Sequence, residues 1–231
     1  NDIAVEKTFW FGRDRRFPVD KIAEFADIDF LITVIREDKH FRSVISALDV
    51  LAFTDANSKD IEIKELLVGM VFSKDDYNEQ VLRTFKAKDF HKNDSSIFKK
   101  IAKHFENDFS SGIHHQIISM LSDYENIDDY FDILINSLHR LYEITPKRIN
   151  DNTIRGTQWI LEKLFVRIQN SENFLQILNV IFNNKFELKI SDFHKKDFKE
   201  KLIERTLFFV ENENDFLYRV IDAFMRFNEM P

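Results

Sequence analysis

The stretch Asp128–Leu138, DDYFDILINSL, sets large apolar residues at offsets 0, 1, 4, 5 and 8 from Tyr130: Tyr130, Phe131, Leu134, Ile135 and Leu138. That spacing is one stripe of an α-helix. The same offsets catch Phe30, Leu31, Val34 and Ile35; Ile63, Leu67, Val68 and Val71; and Ile97, Phe98, Ile101 and Phe105. They catch Phe174, Leu175, Leu178 and Phe182, and finally Phe216, Leu217, Val220, Ile221 and Phe224. The starts at 30, 63, 97, 130, 174 and 216 are 33, 34, 33, 44 and 42 residues apart. An apolar helical pattern returning at that period predicts stacked two-helix units, each covering its neighbour's apolar side.

Working outward, the first helices are expected over Ile28–Arg36, Ile61–Phe72, Ile97–Phe105, Asp128–Tyr142, Asn173–Asn183 and Asp215–Phe227. Their partners are Phe41–Phe53, Tyr77–Phe90, Ile113–Leu121, Thr153–Ile168 and about Asp197–Val210. The second-helix starts at 41, 77 and 113 are each 36 apart, an independent count that agrees with the first. The expected fold is therefore all-α, a right-handed α-α superhelix of about five to six helical hairpins in a single array over residues 1–231. Repeats span residues 27–227. Residues 1–17, with TFWFGRDRRF, read as the last helix and loop of a preceding unit, stopped at Gly12 with basic residues near the helix's negative end. The chain opens at Asn1 without a Met, and both ends of the array are apolar. It reads as a piece of a longer protein.

Composition narrows the chemistry. A chain of 231 residues, 44% hydrophobic, can bury a continuous core, and 4 Gly with 3 Pro leave little material for hairpin turns or Gly-rich ligand loops. The 25 Phe are the main packing groups. Forty acidic against 33 basic residues give a net charge of −7, which opposes a phosphate backbone. The absence of Cys removes disulfides, thiolate metal sites and Cys nucleophiles, and suits a reducing, cytoplasmic setting. No apolar run reaches the ~18 residues that a bilayer span requires, so no membrane is expected.

The array resembles the HEAT or armadillo type of α-solenoid over about residues 27–227. The second helices FRSVISALDVL and IRGTQWILEKL are closest to the HEAT second-helix pattern, through Phe41, Arg42, Leu48 and Leu51, and through Ile154, Arg155, Leu161 and Leu164. Large bacterial signal-transduction NTPases often end in degenerate helical repeats of this kind. The resemblance implies partner binding or scaffolding.

Three constellations invite a chemical reading. Asp128, Asp129 and Asp132 match the DDxxD pattern of isoprenoid synthases, with a faint second motif from Asn214 to Asp222. A capping column explains the acids better: Asp29, Asp129, Asn173 and Asp215 each precede the first apolar position of a unit, where an N-cap or a favourable N-terminal acid belongs. Seven His include no HExxH and no His-x-x-x-His pair, so no metal site is expected; adjacent His114 and His115 point about 100° apart on a helix. Trp159 and Glu162, with Arg155 a turn earlier, are the nearest match to the damaged-base pocket of HEAT-like alkylpurine DNA glycosylases.

The expected function is a non-catalytic protein-protein interaction or scaffolding module with no cofactor. Its partner is another protein or another domain of the same parent chain. Arg42, Arg83, His115, Arg155 and Arg205, on the second helices, are the candidate binding residues of a concave face. The alternative is a HEAT-like DNA-binding protein or an alkylpurine DNA glycosylase, with nucleic acid disfavoured by charge.

Overall fold

The computed structural model describes the backbone of residues 9–10, 16–17, 19–37, 40–55, 58–73, 75–143, 151–183 and 192–228. Side chains are described over the same spans except at 9–10, 16–17, 75, 142, 151–155, 158, 182–183, 192–199, 224 and 226–228. The regular secondary structure among the described residues is helical apart from one ladder of two residues a side, in which Phe9 pairs with Phe17 and Trp10 with Arg16. Phe9–Trp10 had been expected in a helix. Aromatic residues suit a pleated pair, and the ladder holds them extended; Gly12, the expected helix stop, lies outside the described residues.

Residues 1–98 and 99–231 form two compact units. The first contains α1 (Val19–Ala23), α2 (Ile28–Glu37), α3 (Phe41–Leu51), α4 (Asp60–Val71), α5 (Asn78–Ala87) and α6 (Phe90–Asn93). Helix α7 (Ser95–His104) leads into the second, which continues with α8 (Ser111–Leu121), α9 (Phe131–Glu143), α10 (Asp151–Phe165), α11 (Ser171–Asn183), α12 (Asp192–Asn212) and α13 (Phe216–Asn228).

In the first unit α2 packs on α3 and α4 on α5, while α3 lies against both α1 and α5. In the second, α8, α10 and α12 lie side by side, as do α9, α11 and α13; α8 joins the two rows through α9, and α12 through α13. Helices one period apart are thus neighbours in the pair α3 and α5 of the first unit and along the two rows of the second. The recurring stripe supplies the cores: Leu31, Ile35, Ile63, Leu67, Val71 and Phe98 are buried in one unit, and Ile101, Phe131, Leu134, Leu138, Phe174 and Leu178 in the other. Phe165, Phe174, Phe209 and Phe216 form a connected ring cluster, with centroids 5.2–6.4 Å apart.

The sequence offers Asp27 or Asp29 as the cap of the helix Ile28–Arg36; Asp27 takes that place, Asp29 is an acid in the first turn, and the caps ahead of α7 and α11 sit upstream of the acid column. Asp27 Oδ1 accepts from the amides of Asp29 at 3.0 Å and Phe30 at 3.2 Å, and Asp94 Oδ1 accepts from Ile97 at 3.1 Å. Asn170 Oδ1 accepts from Glu172 at 2.9 Å and Asn173 at 3.2 Å. A cap must stand two or three residues before the amides that it satisfies, and Asp29 and Asn173 are among the donors. Asp128–Tyr130 is a 3-10 turn ahead of α9, and Tyr77–Phe90 is interrupted at Asp89, whose φ of 57° ends α5 and starts α6.

A second device repeats in the turns that directly follow helices α3, α7, α8 and α10, whose carbonyls lie outside the intrahelical ladder. A basic side chain reaches back one period to fill them. Lys88 donates to the Thr54 carbonyl, Arg140 Nε to Glu106 O at 3.0 Å, Arg167 to Ser122 O at 2.6 Å and Tyr124 O at 3.1 Å, and Arg205 to Ile168 O. Each cation also lies at the negative end of the helix that it caps.

Candidate functional site

The second helices carry the five residues expected to bind. Arg42 is exposed in the first turn of α3. Arg83, half-buried on the neighbouring α5, pairs with Glu79 at 3.4 Å. Its charge also acts on Asp49, whose carboxyl is pushed up to about 6 by burial, against the opposing pull of Arg83 and the Gln80 amide.

His115 on α8 is turned toward α10: its Nδ1 lies 2.9 Å from the Thr157 hydroxyl. A Cβ on Gly156 would meet His115 Cε1 at 2.8 Å, so the absence of a side chain there permits the close approach. Arg205 on α12 is 8% exposed, donates to Ile168, and lies 4.0 Å and 4.6 Å from the ring centroids of Phe208 and Phe209. Burial lowers its pKa from the usual guanidinium value. The Arg155 side chain lies outside the described residues. Arg42 and Arg83 therefore belong to adjacent helices of one unit, while His115 and Arg205 each reach to α10 or the carbonyls that follow it in the other.

Trp159 is the surprise on this row. The side chain is 52% exposed on α10, with Lys163 Nζ 3.3 Å from its ring centroid. A pair four residues apart on a helix shares one face, which brings the ammonium over the indole. Glu162 is half-buried beside them in sequence.

Asp128, the first acid of DDYFD, is committed to structure. Its Oδ2 accepts from the amides of Gln169 at 2.8 Å and Asn170 at 3.2 Å, and its Oδ1 from the Asn173 side chain at 2.7 Å. Three donors fix this carboxylate ahead of α11. Asp129 and Asp132 instead edge a cavity of about 450 Å³ between α7 and α9. Lys99 and Lys103 come from α7 and Glu106 from the turn after it, Asn136 and Ser137 come from α9, and His114 of α8 also lines the cavity. The sequence reading missed this cavity because it favoured second helices, and here the walls are first helices. The available signal was a pair of polar i, i+4 edges, Lys99 with Lys103 and Asp132 with Asn136, one period apart.

Among the described residues, no helix is long and apolar enough to cross a membrane. Comparison with known protein families, with characterised proteins and with solved structures finds no significant match to this chain.

Proposed function

We propose that the chain is a non-catalytic protein-interaction module, a HEAT- or armadillo-like solenoid whose second-helix face takes a segment of another protein or of another domain of its parent. The observation that carries this reading is Trp159, a ring about half open to solvent on α10, the middle helix of the row α8, α10 and α12. Tryptophan is among the residue types that contribute most when an interface closes over them, because a large rigid ring is buried at small entropic cost. Arg42 supplies an exposed fork-shaped donor on the corresponding row of the first unit, with Arg83 half-buried on the next helix. His115 and Arg205 act in this scheme from beneath, holding the α10 surface in place.

Selection of displayed peptides against the chain tests the reading. Bound peptides should lose at least about tenfold in affinity with Trp159→Ala, equivalent to about 1.4 kcal/mol, while the circular dichroism of the variant stays unchanged. Duplex DNA should show no association at low salt. Steep salt-dependent duplex binding, lost with the same substitution, would overturn the proposal in favour of the nucleic-acid reading, in which Trp159 and Glu162 hold a displaced base.

A further inference from the structure

We infer that the exposed stripe of α13 is a homodimer contact, on which a second copy of this chain lies antiparallel, α13 against α13. Leu217, Ile221 and Met225 follow one another at every fourth position, with Tyr218 beside them, and they are 44%, 49%, 53% and 73% exposed in that order. Such spacing sets the side chains one above another on a single face. Phe216 is fully buried on the opposite side, where α13 packs on α11 and α12. A helix that is apolar on both sides is one that is covered on both sides.

The order of charges beside the stripe selects the occupant. Asp215, Arg219, Asp222 and Arg226 alternate in sign along one flank of it. Reversed, the row is its own complement: about an axis between Val220 and Ile221, an antiparallel copy brings the partner's Arg226 opposite Asp215 and the partner's Arg219 opposite Asp222. Ile221 then lies beside the partner's Ile221, and Leu217 comes within a residue of the partner's Met225. A parallel copy would set acid against acid and base against base. Arg219 also reaches Glu213 at 3.4 Å, and Glu172, within its own chain, so the outer couple of Asp215 and Arg226 carries the selection. Because the same patch serves both copies, the contact is isologous and closes at a dimer. It is a single helix stripe between chains of net charge −7, which places its affinity at the weak end of specific association. This contact is separate from the Trp159 surface and does not depend on it.

Sedimentation equilibrium of the chain tests the inference. A monomer–dimer equilibrium with a Kd of about 1–100 μM is expected, with nothing larger than a dimer. Ile221→Asp, at an exposed position, should weaken the dimer about tenfold or more with the circular dichroism unchanged. Ile61→Asp, at a still more exposed position on α4, should leave association as it was. Asp215→Arg and Arg226→Asp should each weaken self-association about fivefold or more, and the two variants mixed should pair with each other as tightly as the parent pairs with itself. A variant damaged in its fold would not recover on mixing. A chain still monomeric at about 500 μM would overturn the inference and leave the stripe to another protein. Equal losses in Ile221→Asp and Ile61→Asp, or no recovery when the two charge variants are mixed, would overturn it as well.

Discussion

Asp49 is the residue whose chemistry is least at home in its surroundings. It is 6% exposed on α3, with the Gln80 amide of α5 donating to Oδ1, and burial raises its carboxyl pKa to about 6 from the ordinary 3.8. The folded state therefore holds this proton more tightly than the unfolded chain. Its contribution to stability is full below about pH 4, falls as pH rises through 6, and is flat above. A shift of that size corresponds to at most about 3 kcal/mol. Asp49→Asn keeps an acceptor for Gln80 and removes the charge. Urea denaturation at a series of pH values should show the variant more stable than the parent at pH 7, with the two curves converging between pH 6 and 4. An equal difference at both ends would contradict the assignment. The sequence did not reveal this position, because an acid inside the motif FRSVISALDVL reads as a surface residue until α5 is seen to lie over it.

At the scale of elements, helix existence and type were legible, since apolar spacing and a shortage of Gly and Pro act along the chain itself. The ends were not. Asp128 occupies the start of a 3-10 turn because its carboxylate is drawn to the amides of Gln169 and Asn170, some forty residues away, and no local signal encodes that demand. The carboxyl-terminal clasps have the same origin. Arg140 joins the Glu106 carbonyl, the Asn107 side chain at 2.7 Å and Glu143 at 2.6 Å, and its guanidinium lies 5.3 Å from the Phe109 ring centroid. A charged fork at a partly buried helix end is a stronger tie than an exposed ion pair. Arg140→Ala should cost about 1.5–3 kcal/mol in chemical denaturation. Arg140→Lys should recover less than half, because one ammonium cannot fill the same set of acceptors. Lys201→Ala, which removes an exposed pair with Glu204, should leave the denaturation midpoint essentially unchanged. A comparable loss in the two alanine variants would show that the clasp is ordinary surface charge.

At the scale of the whole molecule, the same apolar column has two fates. Ile63, Phe131 and Phe174 are buried where a neighbouring helix covers them, whereas Phe30 on α2 is 63% exposed and Leu217 and Ile221 on α13 are 44% and 49% exposed. On the solenoid reading proposed above, that contrast belongs to helices with one apolar side uncovered, and stability sums over nearest neighbours. Leu67, fully buried in α4, tests the consequence. Leu67→Ala should cost about 2–5 kcal/mol locally, and hydrogen exchange should accelerate across Asp60–Ala87 while Ser111–Leu121 and Ser171–Asn183 keep their protection. Uniform loss across all helices would mark a single cooperative core.

The sequence by itself determined that the described chain is predominantly helical and that its apolar stripes recur at intervals of 33 to 44 residues, since both follow from the order of side chains along one strand of polymer. Only the tertiary structure decided which polar groups are committed and which are free. It drew Asp128 and Arg205 into packing, left Trp159 in solvent, and set His114 in the lining of a cavity edged by Asp129 and Asp132. Those outcomes depend on what lies opposite a residue across a helix–helix contact, and residues some forty positions apart in the sequence meet only once the helices have packed.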